Sequence, residues 1–226
     1  MEITSNNIFD SKCNYLVNTV NTLGVMGSGL ALEFRLRVPN MYYLYKEKCK
    51  RKEIKIGEYW VYNNIEHFPK KILNFPTKTT FSKPSKPEYL YKGLYFFRFN
   101  YKKDGIDSIA LPILGARNGK LNADYSIGLI KSFLADLPIK IELCRNNMQD
   151  QFSKYVINQL KLMTIDEIFN KTSLSKYYCS KLLRNIDNIY HLSEIVSKNI
   201  IPISEAELVY SFFSKKFYKR KIIEYY

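Results

Sequence analysis

Along the first 150 residues the apolar positions switch between two spacings. Leu16-Val17 reads as a short buried strand, and Ala31 to Lys50 has helical spacing interrupted at Pro39. Tyr59 to Tyr62 and Lys71 to Phe75 are rich in β-branched and aromatic residues and read as extended. Tyr89 to Tyr101 puts Leu90, Leu94 and Phe97 on one helical face. Ser108 to Ile113 is a further buried strand, Tyr125 to Leu134 a helix, and Ile139 to Leu143 a strand. Alternation of this kind predicts an α/β fold, with a mainly parallel or mixed sheet covered by helices on both faces. Ligands of such sheets sit at the carboxyl ends of the strands.

From Met163 onward the pattern is helical throughout. Thr164 and Glu167 are spaced as a capping box, Thr172-Ser173-Leu174 makes a turn, and Ser175 to Arg184 forms a second helix. That pair resembles a helix-turn-helix, with a small partner-docking module as the alternative. Ser204 and Glu207 offer another capping box, opening a helix through Phe212, Phe213 and Phe217 to the basic Lys215-Lys216 and Lys219-Arg220-Lys221. The organisation predicted is therefore an α/β domain over residues 1–153 and a helical domain over 154–226.

Composition narrows the class. No run approaches the ~20 apolar residues that span a bilayer, and Met1 to Asn6 lacks the basic and apolar regions of a signal peptide. Cys13, Cys49, Cys144 and Cys179 are far apart without CxxC pairing, so reduced thiols in a cytoplasmic protein are expected. His67 and His191 are the only histidines, and no carboxylate or histidine cluster lies near the glycine-containing loops, so no metal is expected. Thirty-five Lys and Arg against twenty-one Asp and Glu leave a net charge of +14. Twelve basic against seven acidic residues lie from position 151 onward, so both parts are basic. The surplus favours a polyanionic partner, nucleic acid before an acidic membrane. A coding bias that inflates Lys, Asn, Ile and Tyr together is the alternative.

Three strand ends carry unusual chemistry. In the first, Leu16-Val17-Asn18-Thr19-Val20-Asn21 leads into Thr22-Leu23-Gly24-Val25-Met26-Gly27-Ser28-Gly29 and a helix opening at Leu30-Ala31-Leu32. Strand, glycine loop and helix start present unbonded backbone N–H groups to an anion. The second is Asn74-Phe75-Pro76-Thr77-Lys78, where a lysine follows an apolar strand. The third is the turn Leu114-Gly115-Ala116-Arg117-Asn118-Gly119-Lys120-Leu121 after Leu111-Pro112-Ile113. Two phosphate-cradling loops bracketing a lysine suit a ligand with a diphosphate and two sugars.

These segments resemble the macrodomain family of ADP-ribose binders, and within it the DarG-type antitoxins, DNA ADP-ribosyl glycohydrolases. The resemblance covers roughly residues 1–150. It implies a three-layer α/β/α fold with a mixed central sheet, here followed by a small α-helical extension. It also implies removal of ADP-ribose from DNA, thymidine-linked and single-stranded, against a DarT-like toxin, with no cofactor and no membrane. ADP-ribose is then ligand and product. A non-catalytic ADP-ribose-binding module, or a ligand-sensing DNA-binding regulator, is the alternative.

Carried over by motif, Lys78 would be the catalytic lysine, as nucleophile or as acid–base group, and Asn21 would hold the distal ribose. The alternative for Asn21 is to stabilise its own turn, and for Lys78 a solvated surface position. Asn18 would be structural. Gly24, Val25, Met26, Gly27, Ser28 and Gly29 would wrap the diphosphate and distal ribose, together with Leu114, Gly115, Ala116, Arg117, Asn118 and Gly119. Asn7, Ile8 and Thr19 complete the expected ADP-ribose contacts. Five positions depart from the family pattern. Ser28 replaces a common lysine, Asn6-Asn7 stand where Gly-Asp is typical, and Arg117 replaces a glycine. Gly119 falls where a related hydrolase has an aspartate, which leaves a lysine-only mechanism. Arg117 would clamp the diphosphate, reach the DNA backbone, or block the loop where a positive φ is required.

Overall fold

The computed structural model describes residues 1–63, 68 and 70–224, with side chains through Lys219. His67 and the side chains of Arg220 and Lys221 lie outside the described residues. The chain divides into two compact units. The first comprises Met1–Ala31, Asn40–Ile65 and Lys70–Met148, and the second Leu32–Pro39, Glu66–Pro69 and Gln149–Tyr226.

The first unit is built on six strands: β1 (Glu2–Thr4), β2 (Tyr15–Asn21), β3 (Trp60–Tyr62), β4 (Lys71–Lys78), β5 (Ser108–Pro112) and β6 (Lys140–Cys144). They lie in the order β1-β6-β5-β2-β4-β3. Every pair is parallel except the β3/β4 edge, so the sheet is mixed, as expected. Parallel strands need covering on both faces, and the burial shows it. Tyr15, Val17, Leu73, Phe75, Ile109, Leu111, Ile141 and Leu143 form one buried face. Against it pack Leu90, Leu94 and Phe97 of α3 (Pro87–Asn100) and Ile130 and Leu134 of α4 (Ala123–Leu134). Gly93 of α3 lets the helix approach closely, because a Cβ there would lie 2.3 Å from the Phe75 ring. Leu16, Asn18, Val20, Ile72 and Asn74 point the other way and are equally buried. On that side α2 (Pro39–Lys50) brings the Tyr45 hydroxyl to the Asn21 carbonyl. The interruption predicted at Pro39 is a helix break, with α1 (Gly29–Arg37) before it.

The second unit holds the last turns of α1 with α5 (Gln151–Lys161), α6 (Ile165–Thr172), α7 (Lys176–Asn185), α8 (Glu194–Ser197) and α9 (Ile203–Glu224). Leu32, Leu36, Phe152, Leu160, Ile168, Leu182 and Tyr210 share its core. Through this core runs a buried polar network. Arg37, only 3% exposed, donates to Asp150 at 2.7 Å and Glu33 at 3.3 Å, and lies 4.7 Å over the Phe152 ring. Tyr210 donates to Glu33 at 3.2 Å. Asp150 also caps α5 by accepting from the Ser153 N–H and hydroxyl. Burial pushes the Asp150 carboxyl up, but Arg37 and Ser153 outweigh it and hold it below the usual range.

Several expectations are corrected. β1 carried no sequence signal. Helix α5 is an amphipathic element that was not foreseen, and the boundary expected at 153/154 falls inside it. The Thr164–Glu167 capping box forms as predicted. The one at Ser204 and Glu207 does not, because α9 starts at Ile203 and the Ala206 N–H donates to Pro202 O, placing Ser204 within the first turn. Among the described residues, no helix is long and apolar enough to cross a membrane, and no cluster of ligating side chains could hold a metal.

Candidate functional site

The site grows from the carboxyl ends of β2 and β4. These strands pair in register from Tyr15↔Lys71 to Val20↔Pro76, and a shift then sets Asn21 opposite Lys78. Thr77 is the extra residue of a bulge, a device that re-aims the side chains beyond it. Lys78 therefore ends the strand instead of following it. Just past this pair the two strand-end loops are tied together. The Thr22 N–H donates to Lys78 O at 3.1 Å, and the Thr22 hydroxyl to Thr79 O at 3.0 Å.

The first loop, 22–28, is folded around Asn21. Its side-chain oxygen accepts from the N–H groups of Leu23 (3.0 Å) and Val25 (3.3 Å), and its amide donates to Val25 O at 2.6 Å. Of the two roles open to Asn21 in the sequence, turn stabilisation is the one its hydrogen bonds display here. Gly24 sits at φ +83°, with Lys46 and Cys49 3.3 Å from where a Cβ would stand. Beyond it, the N–H groups of Met26, Gly27 and Ser28 have no hydrogen-bond partner among the described residues, and Gly29 opens α1. Unpaired donors at a helix start make an anion cradle. Beneath the loop, Asn18 donates to Asn74 Oδ1 at 2.9 Å and lies 3.8 Å from the Met26 sulfur, the structural role expected of it. Thr19 is half-buried within β2.

The second loop closes on itself, with the Leu121 N–H on Gly115 O at 3.0 Å and the Lys120 N–H on Ala116 O at 2.6 Å. Leu114 is buried, its carbonyl accepting from the Ser126 hydroxyl. Positive φ falls on Gly115 (+68°) and Lys120 (+61°), not on Arg117. The arginine thus enters the loop without the backbone block considered from sequence. Its guanidinium donates to Arg145 O at 3.0 Å, within a cleft of 490 Å³ that Lys120, Arg145 and Asn147 also line. Lys78 and Asn21 do not line that cleft. Gly119 is packed so tightly that a Cβ would lie 2.1 Å from Gly115 O and 2.5 Å from the Ser85 hydroxyl.

Lys78 joins the two loops. Its Nζ donates to Asn118 O, while the Asn118 side chain donates to the Ser28 hydroxyl at 3.3 Å. Partial burial and the Lys120 cation push the Lys78 ammonium pKa below its ordinary value. Lys78, Asn21, Ser28 and Gly115 to Gly119 are therefore gathered in one place. Asn7 and Ile8 meet the end of β6 instead. The Ile8 N–H donates to Asn146 Oδ1 at 2.7 Å, and the Asn7 amide donates to Met148 O at 3.1 Å. Asn7 Oδ1 already accepts from the Phe9 N–H at 3.2 Å, leaving one lone pair for an adenine amino group. Sequence reasoning missed Lys120, Ser85 and Tyr45 as parts of the site. Ser85 is 4% exposed with its hydroxyl unpaired among the described residues, beside the second loop.

Comparison with known proteins places the first part of the chain in a family. The model of the Macro domain family matches residues 17–130, about half of the chain. A Thermus aquaticus protein named DNA ADP-ribosyl glycohydrolase is 42% identical over 116 residues, covering 51% of this chain and 32% of that protein. A Thermosipho africanus DNA ADP-ribosyl transferase–DNA ADP-ribosyl glycohydrolase fusion protein is 30% identical over 159 residues, covering 63% of this chain and 41% of the fusion. The solved macrodomain of Mycobacterium tuberculosis DarG superposes with a TM-score of 0.60 at 36% identity, covering 63% of this chain and 95% of that one. The chain spans about a third of the length of the curated glycohydrolases it matches.

Proposed function

Since this chain belongs to the Macro domain family, we propose that it is a DNA ADP-ribosyl glycohydrolase. Its reaction is hydrolysis of the N-glycosidic bond between the distal ribose of ADP-ribose and a base of single-stranded DNA, thymine first. The observation that carries this reading is Lys78. A lysine of lowered pKa stands between two anion-cradling loops, with its Nζ on the carbonyl of Asn118.

The geometry supports a role for each part of the site. The unpaired N–H groups of Met26, Gly27 and Ser28, with the start of α1, would take the diphosphate. Gly115 to Gly119 would close over it from the other side. Asn21, which orders the first loop through Leu23 and Val25, would hold the distal ribose. Cleavage breaks the C1″–N bond through an oxocarbenium-like centre; water supplies the new C1″ hydroxyl, and its remaining proton goes to the departing base nitrogen. A lowered pKa enlarges the neutral fraction of the Lys78 amine, the form able to attack C1″ or to take a proton from water. With Gly119 where a related enzyme has an aspartate, the lysine works without a carboxylate partner.

The biological role proposed is that of an antitoxin reversing a DarT-like transferase, in the cytoplasm where the modified DNA lies. The fusion of transferase and glycohydrolase in the Thermosipho africanus relative supports that partner. The net charge of +14 supports a nucleic-acid substrate, since phosphate neutralisation supplies affinity. The test is incubation with an ADP-ribosylated oligonucleotide. Wild-type protein releases ADP-ribose, and Lys78→Ala does not, while both bind free ADP-ribose alike. Equal release by the two proteins removes Lys78 from the mechanism, and no release by the wild type rejects the activity.

A further inference from the structure

The loops that flank Lys78 expose side chains that neither the fold nor the sugar site uses. Phe81 is 63% exposed and Leu23 55%. Both stand beside the bonds that tie the loops together, Leu23 one residue past Thr22 and Phe81 two past Thr79. Phe81 is held at the tip of an ordered turn. The Thr80 hydroxyl accepts from the Lys83 N–H at 3.3 Å and lies 3.3 Å from the Ser82 hydroxyl. A large ring kept in water on a built turn, at the mouth of a site, is poised to meet a flat ligand. The cations of the turn and of the neighbouring site state which kind. Lys83 is exposed on the same turn, and Lys120 is close enough to depress Lys78. No carboxylate lies between Asn74 and Pro87 on this loop, or between Leu16 and Leu32 on the facing one.

We infer that Phe81, with Leu23 on the loop tied to its own, is a stacking platform for a base of the single-stranded DNA next to the modified nucleotide, with Lys83 and Lys120 neutralising the neighbouring phosphates. Aromatic faces interleaved with cations are how single strands are bound without base-specific hydrogen bonds. A duplex cannot use the platform, because its bases are already stacked on each other. The platform thus accounts for a preference for unpaired DNA that a pocket fitted to ADP-ribose cannot supply. It deepens the proposed function and rests on that reading's nucleic-acid substrate.

The test is fluorescence anisotropy of a labelled, unmodified oligothymidine strand titrated with the full chain. The wild type binds the single strand more tightly than a duplex of equal length. Phe81→Ala weakens single-strand binding by about 5- to 100-fold, and Phe81→Trp restores it. Lys83→Glu lowers the slope of log affinity against log salt by roughly one or more. Calorimetric affinity for free ADP-ribose is the same in all variants. Wild-type affinity in Phe81→Ala overturns the inference. So does a wild type that ignores the single strand, which would assign the exposed ring to a protein partner or a second copy. If strand binding depends on Phe81 but modified DNA is never cleaved, the platform stands and the glycohydrolase reading falls. If cleavage proceeds and Phe81→Ala is silent in both assays, the reverse holds.

Discussion

Replacing Gly119 with alanine tests whether the second loop sets the geometry of the reaction. The new Cβ would lie 2.1 Å from Gly115 O, 2.6 Å from Gly115 C and 2.5 Å from the Ser85 hydroxyl. The Ser85 side chain can rotate away, but the Gly115 backbone cannot, because Leu121 donates to that same carbonyl. The loop must open by well over an ångström to restore ordinary contact. Overpacking of this kind costs about 1–3 kcal/mol, which for a chain of this length lowers Tm by about 2–12 °C. The larger effect is on function. Asn118, which receives the Lys78 Nζ and reaches Ser28, is the adjacent residue. Misplacement of a reacting group by about 1 Å costs on the order of 10²-fold in rate, so kcat/KM on ADP-ribosylated oligonucleotide should fall about 10²-fold with Lys78 intact. Free ADP-ribose should bind more weakly too, which separates this variant from Lys78→Ala. Calorimetry with ADP-ribose and a release assay measure both quantities. Wild-type ADP-ribose affinity in Gly119→Ala would refute the assignment of this loop to the ligand.

Three further outcomes are expected. Lys120→Ala removes a cation that helps depress Lys78, so the Lys78 pKa rises toward 10.5. If the neutral amine is the working form, the rise of kcat with pH then moves to higher pH and the rate near pH 7 falls; a shift to lower pH would contradict it. Arg37→Ala strands the buried Asp150 and Glu33 carboxylates and should cost about 3–5 kcal/mol in denaturant melts, much of it recovered by adding Asp150→Asn. The folded-state pKa of Asp150 is lowered, so its contribution is present above the unfolded value of about 3.9 and disappears as pH falls through the folded one. A wild-type acid limb that is unaltered in Asp150→Asn would count against this network. Gly128→Ala, exposed in mid-α4 with nothing within 4 Å of the new Cβ, should stabilise by about 0.5–1 kcal/mol, and a lowered Tm would speak against that packing.

Most of the first unit was legible because its strands and helices are long enough to carry a period. β1 was not, since its three mostly exposed residues lack the aromatic run that marked the equally short edge strand β3. The end of β4 was misjudged because Pro76 looks like a strand terminator. It is tolerated because β3 pairs no further than Asn74, so beyond that point β4 has a neighbour on one side only. In the site, the motifs placed Asn21, Lys78 and both loops correctly at strand ends. What the motifs could not carry was the bulge at Thr77, the closeness of Lys120 to Lys78, and the relief of Arg117 by positive φ at Gly115 and Lys120. Each depends on register or on a contact between segments far apart in sequence. The Ser204 capping signal failed for a local reason, because the helix begins directly after Pro202.

The bulge at Thr77 has one more consequence. Because Asn21 and Lys78 are ladder partners, their separation belongs to the rigid frame and not to any flexible connection. The stretch from Thr80 to Pro84 can therefore vary in length or composition while Asn21 and Lys78 keep their spacing, whereas Thr79 and Ser85 on either side of it are held by bonds to the two loops. Removing Thr77 would instead abolish the bulge, and with it the local bend that aims the lysine. The spacing of the two side chains and the make-up of the turn beyond them are thus set by separate parts of the chain.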